Sequence, residues 1–446
     1  MELKNIISLV LVFNIIIAGS SCASKKAISA GNQELFKYSF GSIGGSDFTK
    51  INSVITYTDA TGFGFEPGHS SNTTFHNGFV SSDKPFLFSR KLPEGTYQVK
   101  VIVGDKKGTA DITIRAECRR MMAERIITTM NELQTVQFTI HIRDTFIRAT
   151  GNKIRIKDRE RDFLHWDNKL TIEFNGKDPK VQSIEITPAQ KDVITVFLAG
   201  NSTVVDQDKE PYAAWGQMIP AFFESGKVSI ANYAESGESL SSFIAEKRFE
   251  KVLSLMKQGD YAFVEFGHND QKQRGEGIGA FTSYKKDLKF FISEVKKKGG
   301  IPVLVTSMHR RNFDSTGKIN QTLGEYPDAV RQTAKEENVA LIDLNAMSKI
   351  LYEAWGPEES KKAFVIYPAN TFPGQTKELK DNTHFNPFGA YEIAKCIMTG
   401  IQQNNLGISK YLKKDIKPFD PAKPDALSDL YWPLSPTMSS TKPDGN

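Results

Sequence analysis

The sequence predicts an α/β domain with a parallel sheet, preceded by an all-β sandwich. Three observations point there. Over residues 33–188, short stretches alternate apolar and polar residues and are separated by turn residues. From 192 to 412, strand-like apolar runs alternate with longer helix-like stretches. The residues able to do chemistry fall just after those apolar runs. A chain of 446 residues is long enough for two such domains. A composition of 39% hydrophobic and 24% charged residues suits a packed globular chain rather than a disordered one.

In the first half, 36–40, 97–103, 110–114 and 136–142 show the period-two pattern of half-buried antiparallel strands. Pro93-Glu94-Gly95, Gly151-Asn152 and Asn175-Gly176 supply the turns between strands. The stretch 116–125 reads as strand or helix. In the second half, strands are expected over 194–199, 228–231, 261–266, 301–306 and 339–342. Helices are expected over 213–224, 239–257, 280–298, 326–337 and 387–399. The two rhythms meet near Pro188-Ala189-Gln190-Lys191. Residues 413–446 are punctuated by Pro418, Pro421, Pro424, Pro433 and Pro436, which predicts an extended surface tail with its last ten or so residues disordered.

In a parallel α/β sheet, ligands bind beyond the carboxyl ends of the strands. The first such end carries Gly200-Asn201-Ser202, the second Asn232-Tyr233-Ala234-Glu235-Ser236-Gly237, and the third Gly267-His268-Asn269-Asp270. Asp381-Asn382-Thr383-His384 precedes the last helix. A serine is a poor nucleophile until an imidazole takes its proton, and that imidazole needs an acid to hold its tautomer. A net charge of +5, scattered among acids with no concentrated basic face, argues against a nucleic-acid partner. Lys296-Lys297-Lys298 reads as the favourable end of a helix. There are 3 cysteines. Cys118 and Cys396 fall in different halves; they read as small buried hydrophobes, with a bridge between them left open. No Cys-x-x-Cys or histidine-rich spacing suggests a metal site.

Together, the four segments resemble the sequence blocks of the SGNH/GDSL hydrolase family, in its rhamnogalacturonan acetylesterase branch, and Trp215-Gly216 is also typical of that branch. The resemblance covers 194–400 and implies a flavodoxin-like three-layer α/β/α fold. It also implies roles for named residues. Ser202 is the nucleophile, His384 its base and Asp381 the orienting acid. The N–H groups of Ser202 and Gly237 and the side-chain amide of Asn269 form the oxyanion hole. The family's Gly-Asp-Ser is here Gly200-Asn201-Ser202. Because the triad acid lies in the last block, activity is expected to survive that change. His268 is a candidate substrate contact or a structural hydrogen-bonding residue, and Asp270 a loop anchor. Arg310 and Arg311 are candidates for a fork on uronic carboxylates, or are solvated surface arginines. His309 has no acidic neighbour in sequence to orient it. The first domain resembles galactose-binding-like modules; its Trp166 reads as a sugar-stacking platform or as core.

The implied activity is that of a carbohydrate esterase. It removes acetyl groups from a plant polysaccharide, rhamnogalacturonan of pectin, through an acyl-serine intermediate and without metal or organic cofactor. The alternatives are an esterase on another acylated glycan or lipid, and an inactive carbohydrate-binding surface protein whose sole support is Asn201. At the N-terminus, Lys4 is followed by an apolar run over 6–17 and by Ala18-Gly19-Ser20-Ser21-Cys22. Residues 1–21 resemble a bacterial lipoprotein signal, although Gly19 stands where a larger aliphatic residue is usual. Lipidation of Cys22 would anchor the protein to a membrane; ordinary cleavage is the alternative. Either way the protein is expected to be exported, to the cell envelope when lipidated and otherwise to the periplasm or medium.

Overall fold

The computed structural model describes residues 35–41 and 45–444. The leader and Cys22 lie outside them. The first half is a sandwich of two sheets. One holds Gly95–Gly104 between Leu133–Ile142 and Lys180–Pro188. The other runs from Phe63–Phe65 through Phe86–Lys91, Lys169–Asp178 and Ala110–Ala116 to Arg120–Thr128. Alternate residues point inward, as the pleat requires. Val99, Val101 and Val103 from the first sheet meet Phe86, Phe88, Ile112, Ile114 and Phe174 from the second in one buried core. The ambiguous stretch 116–125 is a hairpin. It turns at Glu117-Cys118-Arg119, with φ of 55° at Glu117 and 58° at Arg119. Left-handed backbone at non-glycine residues is unfavourable and persists only where contacts hold it. Here Arg119 donates to Tyr212 O at 2.7 and 3.1 Å, and Cys118 O accepts from Gln217 Nε2 at 2.7 Å.

The second half is a five-stranded parallel sheet: β1 (Ile194–Gly200), β2 (Val228–Asn232), β3 (Tyr261–Glu265), β4 (Ile301–Val305) and β5 (Ala340–Ile342). Their order is β2-β1-β3-β4-β5, the flavodoxin-like order with its switch point between β1 and β3. Along β1, Val196 and Leu198 enter the core on one face, while Phe197 and Ala199 enter the core on the other. Both faces are buried, so the strands read as continuous apolar runs.

The helices depart from expectation in detail. The stretch 213–224 is one short helix, Trp215–Met218, followed by a 3-10 turn, Ile219–Phe222, that contains Pro220. The stretch 239–257 breaks into Leu240–Ala245 and Arg248–Leu255, because Lys247 takes φ 62°. The helix Leu344–Glu359 and the hairpin of Phe364–Tyr367 with Leu379–Phe385 were not anticipated. That hairpin carries Asp381 and His384 on a strand rather than in a loop.

The described residues from Leu35 onward form one compact unit, and its interior seam is charged. Arg120 Nε from the sandwich meets Asp206 Oδ2 at 2.5 Å, and Asp206 Oδ1 accepts from Asn232 Nδ2 at 2.8 Å. Glu160 is forked by Arg248 at 3.1 and 2.5 Å, and Lys251 meets Glu94 at 2.5 Å and Asp144 at 2.9 Å. Trp166 belongs to this seam. Its Nε1 donates to Glu160 Oε1 at 2.8 Å, and Arg143 stacks 4.4 Å from its ring. That favours the core alternative for Trp166, since its Nε1 and one face of the indole are engaged within the protein.

The tail does not end in disorder within the described residues. Ser439 N donates to Glu210 O at 2.8 Å and Glu210 N to Thr437 O at 3.0 Å. Arg115 of the sandwich donates to Ser435 Oγ at 2.7 Å and lies 3.7 Å over the Trp432 ring.

Removing one partner of a buried ion pair strands the other charge. Arg120→Met should therefore cost about 3–5 kcal/mol of unfolding free energy in a denaturant titration. Sandwich and α/β halves should still unfold in one transition; two separated transitions in the wild-type protein would show the halves to be independent.

Candidate active site

Strand β1 delivers its residues to the sheet edge through a turn with little room. A Cβ on Gly200 would lie 2.4 Å from Val204 Cγ2. Asn201 O accepts from Val204 N and Val205 N, both at 3.0 Å, while Asn201 Oδ1 accepts from Thr203 N at 3.1 Å and lies 2.9 Å from Thr203 Oγ1. The acceptor work is done by an amide oxygen, so the carboxylate usual in the family is not needed to close this turn. Beneath it, the buried Glu265 carboxylate accepts from Trp215 Nε1 at 2.7 Å and Thr203 Oγ1 at 3.1 Å.

The turn presents Ser202 to the strand Leu379–Phe385. Ser202 Oγ and His384 Nε2 are 2.8 Å apart, and His384 Nδ1 and Asp381 Oδ2 are 2.7 Å apart. Asp381 Oδ1 also accepts from Thr383 N at 2.8 Å and His384 N at 3.0 Å. Burial raises the pKa of Asp381, but its bonds to His384 and to these N–H groups outweigh that and hold it below the usual carboxylate value. An ionised acid on Nδ1 fixes the proton there and leaves Nε2 as acceptor for the serine hydroxyl. Tyr212 packs edge-on against His384, ring centres 5.9 Å apart.

Two other strand ends face the same place. After β2 the chain turns at Gly237 with φ 81°. The N–H groups of Ser202 and Gly237 donate to no backbone carbonyl among the described residues. After β3, Asn269 Nδ2 donates to Glu238 O at 3.0 Å, which sets the amide plane and leaves its second N–H. Asp270 is the expected anchor: it accepts from Leu240 N at 2.8 Å and Gly267 N at 2.9 Å, and burial pushes it up to about 7. His268 is 2% exposed and held well below the usual histidine value by burial and nearby cations. The two candidate arginines are already engaged. Arg310 lies 3.4 Å from both Thr322 O and His268 O. Arg311 donates to Ser360 Oγ and Asn382 Oδ1, each at 2.9 Å, and to Pro357 O.

The sandwich contributes residues that the sequence did not single out. The turn Asp158–Asp162 reaches the loop after β2. Lys157 Nζ donates to Ser236 O and pairs with Glu238 Oε1 at 2.8 Å. Arg159 Nη2 donates to Ser236 O at 2.8 Å and Glu235 Oε1 at 2.7 Å. In sequence, Lys157-Asp158-Arg159-Glu160-Arg161-Asp162 is a mixed-charge run with no site pattern. Next to it, ligand atoms of Glu160, His165 and Glu235 gather within 4.8 Å. Burial and the Glu160 charge raise Glu235 to about 8, while Arg248 overcomes burial to hold Glu160 at about 2. Arg248 on Glu160 and Arg159 on Glu235 already balance these carboxylates.

Residues 185–390 match the GDSL-like Lipase/Acylhydrolase family. Over 224 residues the chain is 45% identical to "Rhamnogalacturonan acetylesterase RhgT" of Bacillus subtilis (strain 168), covering 50% of this chain and 95% of that protein. The chain belongs to the GDSL-like lipase/acylhydrolase family. The resemblance read from the four blocks holds for the α/β half. Over 352 residues the chain is also 26% identical to "Uncharacterized esterase YxiM" of the same organism, covering 75% of this chain and 85% of that protein. A crystal structure of the Bacillus subtilis YxiM protein is 22% identical, with a TM-score of 0.44, and covers 84% of this chain and 99% of that one.

Within this acylhydrolase fold, Glu265 gives a signed pH test. Burial raises it to about 7, against the two hydrogen bonds it accepts. The folded chain keeps this proton up to about 7, whereas the unfolded carboxyl loses it near the ordinary value of 4.5. Its contribution to stability is therefore fully present below 4.5 and is lost as pH rises toward 7. Glu265→Gln cannot ionise. The wild-type minus variant difference in unfolding free energy should fall across that window and flatten above it; a difference independent of pH would contradict the assignment.

Proposed function

We propose that the protein is a serine esterase that removes acetyl groups from a plant polysaccharide, with rhamnogalacturonan of pectin as substrate. The single observation carrying this is the Ser202–His384–Asp381 hydrogen-bonded chain at the sheet edge. It lies in a domain 45% identical to a protein named as a rhamnogalacturonan acetylesterase.

Ser202 Oγ attacks the acetyl carbonyl carbon and passes its proton to His384 Nε2. The carbonyl oxygen becomes an oxyanion held by the N–H groups of Ser202 and Gly237 and by Asn269 Nδ2. Collapse breaks the bond to the sugar oxygen, which takes the proton from His384. Water, deprotonated by the same imidazole, then attacks the acetyl-serine and releases acetate. None of these steps uses an organic cofactor.

Lys157 and Arg159 act on this hole from behind. The Ser236 carbonyl they bind belongs to the same peptide unit as the Gly237 N–H. Two cations on that oxygen fix the peptide plane and polarise its N–H toward the site. They are positioning residues.

The sequence of residues 1–22, outside the described residues, supports export and a lipid anchor on Cys22. The enzyme would then act in the cell envelope.

Acetate release from acetylated rhamnogalacturonan tests the reading. Ser202→Ala should lower it by at least about 10³-fold and Asn269→Ala by about 10²–10³-fold; equal rates for wild type and Ser202→Ala would sink it. Weakening a donor costs less than deleting it. Lys157→Met should thus lower kcat about tenfold with KM nearly unchanged, and Lys157→Arg should restore most of it. A rise in KM alone would contradict the positioning role.

A further inference from the structure

Arg159 has a second side. Its Nη2 is spent on Glu235 and Ser236, but its Nη1 turns to the cleft and holds the Asp444 carboxylate of the tail. The pair lies against the loop after β2: a Cβ on Gly237 would sit 3.0 Å from Asp444 Cβ. It forms part of a cleft of about 310 Å³ whose lining includes Phe163, Ser236 and Tyr212. Tyr212 is the ring packed on His384, so one wall of this cleft backs onto the triad.

We propose that Arg159 is a carboxylate-binding subsite. It takes the uronic-acid carboxylate of the sugar next to the acetylated one, and Asp444 holds that place in the free protein. This rests on the reading of a uronate-bearing polysaccharide as substrate. A guanidinium with one edge fastened to protein and the other facing a cleft is preorganised for an oxyacid. The Arg159 and Asp444 side chains keep 32% and 59% of their surface exposed. Such open pairs contribute little, so a carboxylate delivered with the rest of a saccharide displaces the aspartate. Phe163 offers an apolar edge beside the arginine for a sugar face. Asp162 and Asp208 also line the cleft. Asp208 lies 3.6 Å from Lys209, and Lys157 is spent on Glu238. Arg159 is thus the cation best placed to select an acidic sugar. The same tail segment brings Lys442 Nζ to 3.8 Å from Asp381 Oδ1.

The test is calorimetric titration of trigalacturonate and its methyl ester into the full-length protein, which needs no turnover. Wild type should bind the acid about tenfold tighter than the ester, the size of one charge-assisted bond. Asp444→Ala should tighten acid binding several-fold. Arg159→Gln should erase the preference for the acid. A preference that survives Arg159→Gln, or acid binding indifferent to Asp444→Ala, overturns the subsite; should Arg159→Gln fail to fold, Asp444→Ala decides alone. Acid preference without acetate release from pectin would sink the substrate reading and leave the subsite. Acetate release without acid preference would do the reverse.

Discussion

Charge buried between the sandwich and the α/β half is the constraint from which the rest of this structure follows. Arg120 with Asp206, Arg248 with Glu160, and Lys251 with Glu94 are all almost completely withdrawn from solvent. Such pairs gain little over well-packed apolar groups, but parting them leaves charges in a low dielectric. They therefore specify one way of docking the halves rather than simply adding stability. Asp206 shows how close this reaches to the chemistry: four residues beyond Ser202, it is held by Arg120 from the sandwich and Asn232 from the end of β2.

That docking makes the sandwich part of the proposed active site. The turn carrying Lys157 and Arg159 grips the Ser236 carbonyl, and through one rigid peptide unit it governs the Gly237 N–H. In the proposed mechanism the hydrolase half supplies nucleophile, base, acid and oxyanion donors. The sandwich backs one donor and offers a cation to the cleft. The tail is tied to Arg115 on one half and Glu210 on the other, and closes over the same entrance.

Much of this was legible in the chain. Alternation along 97–103 and continuous apolar runs along β1 to β4 are local consequences of burying one sheet face or two. The four blocks were legible because their residues serve nearby backbone: Asn201 closes its own turn, Asp270 ties the ends of β3 and the following loop, and Asp381 caps the N–H groups of Thr383 and His384. Such short-range duties constrain residue type at fixed spacing. The break at Lys247 and the hairpin turn at Glu117-Cys118-Arg119 were not legible, because distant contacts impose left-handed backbone on ordinary residues.

By itself, the sequence determined the alternation of strands and helices along most of the second half and the carboxyl edge on which Ser202 sits, and the four-block resemblance implied its partners. Alternation and edge follow from hydrophobic period, and the blocks stand out through hydrogen bonds within a few residues. Only the tertiary structure decided which charges pair. Lys157 and Arg159 sit in a run that could as well be solvated, Trp166 could have faced sugar, and Asp444 could have hung free. A side chain's charge is written in the chain, but its partner depends on where two distant segments meet and how much water they exclude.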